Sequence, residues 1–449
     1  MRIFPPQLVI GENDGFLPRY DIFERKKIGQ GITNLLDSVS DPLVLALDAQ
    51  WGSGKTTFLK MLAGHLRQAD FPVIYFDAFE NDYHEDAFLP IAGEIFSLIK
   101  SKTHSSEARS FQKKAVSAAK IVLRSALKVG IKAATAGILD GKEFENVAED
   151  IGEELSTLED KYIGEMITEQ EAKKETVEEF KTSLSKISEI IRKSYGDKTQ
   201  IKPLIFIIDE LDRCRPDFAL SVLERMKHFF QVDNVHFILG VHMGALQSSV
   251  KAAYGADIDA KIYLQKFISI NISLVDNNDH EHTSTIKKFT TNLIENLELN
   301  NEEFEYFRKS KSYIDQIAEE KNLSLRTIEK IVTNIAICIN YTGGTTFRPY
   351  PLIIGLCIFK ALDSDLFVQA KTGKLKFLTV SQYFNFQKDA NGTYEDAWTV
   401  NWWRYCMGEE MTEEELSDYR NVRFNYNFGE RATILKVVAN NVVDKIVNS

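Results

Sequence analysis

The chain has 449 residues, 44% of them apolar, which suggests roughly two to three domains with cores of ordinary size. The formal net charge of -11 argues against a chain that coats nucleic acid non-specifically, although a local basic patch could still bind it. The four cysteines (Cys214, Cys338, Cys357, Cys406) are scattered, without zinc spacing or a dense disulfide pattern, so a reducing cytoplasm is the simplest expectation. The opening MRIFPPQLVIGEN lacks the apolar run of a signal peptide, and no stretch approaches the roughly 18 uncharged apolar residues of a transmembrane helix.

The first informative element is PLVLALD, residues 42–48, an apolar run long enough for a buried strand. AQWGSGKTT follows, and then a helix face marked by Phe58, Leu59, Leu62 and Leu66. Strand, glycine loop and helix are the setting of a phosphate-binding loop, G-x-x-x-x-G-K-[ST], with Ala49 standing at the first glycine position. Glycines let successive backbone N–H groups turn inward on phosphate oxygens, and the helix N-terminus adds partial positive charge. The expected nucleotide contacts are Gly52, Ser53, Gly54, Lys55, Thr56 and Thr57. Lys55 would reach the β- and γ-phosphates, and the Thr56 hydroxyl would face Mg2+.

About 150 residues then separate Lys55 from the next motif, and the excess lies around residues 100–198. Lys120, Arg124, Lys128 and Lys132 recur every fourth residue, a drifting basic stripe on a helix. Glu143, Glu145, Glu149, Asp150, Glu153 and Glu154 then reverse the sign. Charges at that spacing exclude a membrane span, since each would cost about 2.5–3.5 kcal/mol in hydrocarbon. Three uses of the insertion remain open: a helical hairpin with facing charged arms, a grip on nucleic acid or anionic lipid, or an oligomer contact.

IKPLIFIIDELDRCRPDF, residues 201–218, supplies a second buried strand ending at Asp209. In a parallel sheet the strand C-termini gather at the ligand crevice, so Asp209 is placed to hold Mg2+ and Glu210 to orient or deprotonate an attacking water. Neither an N-K-x-D segment nor an L-S-G-G-Q signature is present, so ATP is the expected nucleotide. From residue 342 the composition changes to a glycine-proline connection, a buried helix and a stretch rich in aromatics, with Trp398, Trp402 and Trp403. That cluster suits either a small core or a recognition surface.

The runs WGSGKTTFLKML, VIYFDAFENDYHEDA, IDELDRCRPDFALSVLERMKHFFQVDNVHFILGV and YLQKFISINISL together resemble the KAP family of P-loop NTPases, over about residues 20–340. The resemblance implies an α/β core of the ASCE type, with one strand between the phosphate-loop strand and the strand of Asp209. It implies Asp212 and Arg213 in the D-E-L-D-R-C block, His242 at a γ-phosphate-sensing position where the family commonly has an acidic residue, Lys266 as a cation acting on a neighbour, and Arg326 on a second sensing helix. Members commonly carry membrane segments in the insertion, from which this sequence departs, and are often associated with bacterial defence against phages and plasmids. The expected organisation is a first core segment at 1–99, a helical insertion at 100–198, a second core segment at 199–275, a lid-like helical part at 276–341 and an aromatic-rich region at 342–449. The function expected is a Mg2+-dependent ATPase, acting as a homo-oligomer or with an effector protein. The alternatives are a nucleotide-bound scaffold with little hydrolysis and a motor stimulated by DNA.

Overall fold

The computed structural model describes residues 8–102, 105–124, 163–187, 189–190, 202–274, 279–297, 300–321, 323–341, 349–389, 392–417, 419 and 430–445. It divides into two compact units, one of Val9–Val275 and one that takes Leu8 together with the chain from Asp276 onward. The first is built on a five-stranded parallel sheet in the order β2-β3-β4-β1-β5. The strands are β1 (Val44–Asp48), β2 (Val73–Asp77), β3 (Leu204–Asp209), β4 (Val235–Val241) and β5 (Ile270–Ser273). β4 thus lies between β1 and β3, as the resemblance implies.

Side chains alternate across a strand, and here both faces are apolar, as expected of a parallel sheet covered on both sides. Val44, Ala46, Leu204, Phe206, Ile208, Phe237 and Leu239 belong to one buried cluster; Leu45, Leu47, Ile205, Ile207 and Ile238 belong to another. Helices α1 (Lys26–Ser38) and α2 (Lys55–Gln68) fill the second face through Ile32, Leu36, Phe58, Leu59 and Leu62. The first face receives α3 (Phe88–Lys102), α4 (Ser105–Arg124), α5 (Ile163–Ser185) and α6 (Pro216–Arg225). The helices α7 (Met243–Tyr254) and α8 (Ala260–Leu264) complete that layer. His236 of β4 is buried in the sheet; its Nδ1 accepts from the Leu43 amide at 3.2 Å while Nε2 lies 3.0 Å from the Val39 carbonyl. Burial holds its pKa below the usual imidazole range, consistent with a neutral ring used as backbone glue.

The described parts of the insertion belong to the core. Phe111 of α4 packs on Phe180 of α5 at 5.7 Å between ring centroids, and Phe180 in turn meets Phe88 at 5.4 Å and Phe230 at 5.6 Å. Lys128, Lys132 and the acidic run from Glu143 to Glu154 lie outside the described residues, as do the side chains of Lys120 and Arg124. No described helix is long and apolar enough to cross a membrane.

The second unit is helical: α9 (Asp279–Glu295), α10 (Asn301–Glu320), α11 (Leu325–Tyr341), α12 (Tyr350–Leu362), α13 (Ser364–Thr372), α14 (Phe377–Tyr383), α15 (Ala397–Met407), α16 (Glu413–Ser417) and α17 (Ile434–Val438). α12 is buried nearly all round, as its sequence IIGLCIF requires. Trp403 is fully buried, and its ring approaches α12 so closely that a Cβ at Gly355 would meet it at 2.4 Å. Phe359, Phe384 and Trp403 share this core, while Trp402 packs edge-on against Tyr419 at 4.8 Å. Much of the aromatic cluster is therefore spent on packing.

Candidate functional site

The loop from Ala49 to Gly54 turns from the end of β1 into α2. Gly52 and Gly54 take positive φ values of 77° and 86°, a backbone that favours glycine. Ala49 is not among the positive-φ residues, so alanine fits at the position where the motif carries its first glycine. Its amide donates to the Val241 carbonyl at 3.1 Å and its carbonyl accepts from Lys55 Nζ at 2.6 Å. Arg25, just before α1, donates to the Ser53 carbonyl at 3.1 Å and braces the loop from outside. α2 begins without a side-chain cap, and the Ser53 hydroxyl is buried without a partner. Uncapped N–H groups and a buried hydroxyl suit phosphate oxygens.

Two strands away, Asp209 ends β3 and is fully buried. Tyr75 of β2 donates to its Oδ2 at 2.6 Å, the Glu210 amide donates to Oδ1 at 2.9 Å, and the nearby Thr56 hydroxyl favours the charged form. Burial raises the pKa of Asp209 and these three groups oppose the rise. Gly240 of β4 makes room for the carboxylate, since a Cβ there would lie 2.6 Å from Asp209 Oδ1. A hydroxyl from the phosphate loop's helix beside a buried carboxylate is a donor set that suits hydrated Mg2+.

Glu210 is left-handed, with φ 58° and ψ 23°, strained for a residue with a long side chain. Its carboxylate pairs with Arg213 at 2.6 Å, across a single 3₁₀ turn, Leu211–Arg213. Burial raises the Glu210 pKa, Arg213 opposes this, and Asp77 at the end of β2 adds to it. Asp212 is buried and accepts from the Trp51 indole N–H at 2.5 Å. The Trp51 ring stands edge-on to His242, centroids 5.5 Å apart, and the buried His242 Nδ1 has no partner. Lys55 is 9% exposed; burial lowers its pKa, and Asp212, Asp209 and Asp48 pull it back.

The first unit thus brings together Gly52, Ser53, Gly54, Lys55, Thr56, Thr57, Asp209, Glu210, Arg213 and His242 at the C-terminal ends of β1, β3 and β4. Lys266 is not among them. It precedes β5, at the other end of the strands, and lies exposed with Nζ 5.0 Å from the Tyr263 ring centroid. Arg326 is the second residue of α11, in the second unit, and is exposed. Sequence reasoning passed over Tyr75, Trp51 and Gly240 as contributors to the geometry, and took Asp212 only as completing the block with Arg213. The only available signal was a hydroxyl-bearing aromatic, Tyr75, inside an otherwise apolar strand.

A model of the KAP family P-loop domain matches residues 25–342. No curated protein matches the chain. Among solved structures, the Aeropyrum pernix ORC2 protein (ADPNP–ADP complexes) is similar at 11% identity and TM-score 0.34, over 98% of this chain and 96% of that one. A DNA replication initiation factor is similar at 10% identity and TM-score 0.25, over 98% and 97%. Likenesses that slight carry no argument here.

Proposed function

The chain belongs to the KAP family of P-loop domains, and from that premise we propose that it binds and hydrolyses ATP with Mg2+. The observation that carries this is the fixed pairing of the two motifs. The Thr56 hydroxyl in the first turn of α2 lies beside the Asp209 carboxylate that closes β3, with Glu210 next in sequence.

In this mechanism Gly52 to Thr57 wrap the phosphates and Lys55 exchanges its bond to the Ala49 carbonyl for phosphate oxygens. Thr56 and Asp209 would hold Mg2+, which when bound would supply neutralising positive charge to the phosphates. Glu210 orients the attacking water, for which it must release Arg213; the burial that raises its pKa suits it to accept a proton. Arg213 is then free to approach the γ-phosphate, and His242 offers a polar ring nitrogen beside it. Lys266 of a neighbouring copy, or Arg326, would supply the remaining cation.

Phosphate release by the purified chain, compared with Glu210→Gln, tests this. Turnover lost by at least about 100-fold with ATP binding retained is the expected result, in line with the effect of removing a positioned acid or base. The ion pair between Glu210 and Arg213 favours one other reading, a nucleotide-bound scaffold that rarely turns over. Nucleotide-dependent assembly with equal, negligible turnover in both proteins would establish it. The family resemblance is the support for a role in bacterial defence against phages, with ATP turnover gating a homo-oligomer or a partner effector. Phage plaque counts on cells expressing the chain or Glu210→Gln test that role, and equal counts would remove it.

A further inference from the structure

We propose that Trp51 and Asp212 form a clasp that fixes the phosphate loop to the turn bearing Glu210, and that both are positioning residues for the hydrolytic step. The proposal rests on the hydrolytic reading above. Hydrolysis requires the γ-phosphate, held by the loop after β1, to meet a water held by the turn after β3. These strands are not neighbours. β4 lies between them, and adjacent strands are about 4.8 Å apart, so the two motifs start roughly 10 Å apart. An indole is long enough to cross that gap with a directional donor at its far edge.

The structure shows that crossing. Trp51 lies on the loop, passes His242 at the end of β4 with ring centroids 5.5 Å apart, and donates to Asp212 at 2.5 Å. Asp212 occupies the turn that immediately follows Glu210. The turn transmits position because its backbone is closed by the Arg213 amide on the Glu210 carbonyl at 3.0 Å, a bond that does not depend on the ion pair between their side chains. One hydrogen bond thus ties the loop apex to the backbone that holds Glu210 in its left-handed conformation. Trp51 is also 49% exposed, an unusual place for a tryptophan unless its polar edge has work to do.

Such a clasp acts on the chemical step more than on affinity, because nucleotide is gripped by the loop whether or not Glu210 is aligned. The test is steady-state phosphate release and separate ATP-binding measurements on the full chain and on Trp51→Phe, Asp212→Ala, Asp212→Asn and the double variant Trp51→Phe/Asp212→Ala. Trp51→Phe and Asp212→Ala should each lower kcat about tenfold with KM changed less than about twofold, and the double variant should fall no further than the worse single. Asp212→Asn keeps an acceptor for the indole and should stay within about threefold of the parent. Unchanged kcat in Trp51→Phe, additive losses in the double variant, or Asp212→Asn as impaired as Asp212→Ala would each overturn the clasp. The last would assign Asp212 to the charge balance around Lys55 instead. A rise in KM alone would make Trp51 a binding residue and also overturn it. A parent chain that binds ATP without turnover would overturn the hydrolytic reading itself, and with it this role.

Discussion

At the scale of single residues, the site turns on how a buried carboxylate is kept usable. Asp209 has no exposure, and the burial that raises its pKa is opposed by Tyr75, the nearby Thr56 hydroxyl and the Glu210 amide. Tyr75→Phe removes one donor and should weaken Mg2+ binding to the ATP complex roughly tenfold, the scale of a hydrogen bond to a charged group. A Mg2+ titration of nucleotide binding reads this directly. The sign with pH follows from the same contacts. Cation binding needs the carboxylate, so it falls as pH drops through the raised Asp209 pKa, and without Tyr75 the fall should begin at higher pH. Stability runs the other way. The folded chain holds the Asp209 proton more tightly than the unfolded chain, so stability is lost as pH rises from the unfolded value, about 3.9, through the folded one. Asp209→Asn should therefore stabilise the protein at pH 7 by about 0.5–2 kcal/mol while abolishing Mg2+ dependence, and the gain should vanish below about pH 4. Thermal unfolding at the two pH values checks it. Asp209 and Glu210 were legible in the sequence because a carboxylate pair closes an uninterrupted apolar run. Tyr75 was not, because its contact depends on β2 pairing with β3, at a separation of 134 residues.

At the scale of elements, apolar run length was an adequate guide to β1 and β3, and the 3.6-residue spacing was adequate for α2. The insertion was harder, because charge periodicity says where a helix is solvated and not what its other face touches. That other face is written in small and aromatic residues. Ala115, Ala118 and Ala119 let α4 lie close, and Phe180 of α5 is fully buried among Phe88, Phe111 and Phe230. The described arms of the insertion should then be part of the cooperative core. Phe180→Ala should cost about 3–5 kcal/mol in denaturant unfolding, the range for a buried aromatic that leaves a cavity. A cost under about 1 kcal/mol would mean that the arms detach before the sheet unfolds. The packing of Phe88 between β2 and these arms also gives the insertion a physical route to the end of β2, where Asp77 stands in register with Asp209.

At the scale of the whole chain, each unit has its own hydrophobic core. The sheet's two clusters contain no residue beyond Leu274, and the helical unit's cluster runs from Ile286 to Val443. Separate cores allow separate cooperative transitions, and chains of this kind commonly depart from two-state unfolding. The tryptophans make the two distinguishable. Trp51 belongs to the first unit, and Trp398, Trp402 and Trp403 belong to the second, so Trp51→Phe leaves indole emission as a reporter of the helical unit alone. Nucleotide that binds the folded phosphate loop stabilises it by mass action, about 2.7 kcal/mol at a ligand concentration of 100 Kd. The assay should use the Lys55-bearing, Trp51→Phe chain, with far-UV circular dichroism following both units and emission following the helical one, so that a transition seen by dichroism alone belongs to the sheet unit. Mg2+ and ATP should raise the first transition by several degrees. A shift of the emission transition by the same amount would mean that the ligand's free energy is felt by both cores. An unmoved emission transition would confine the ligand's effect to the sheet unit.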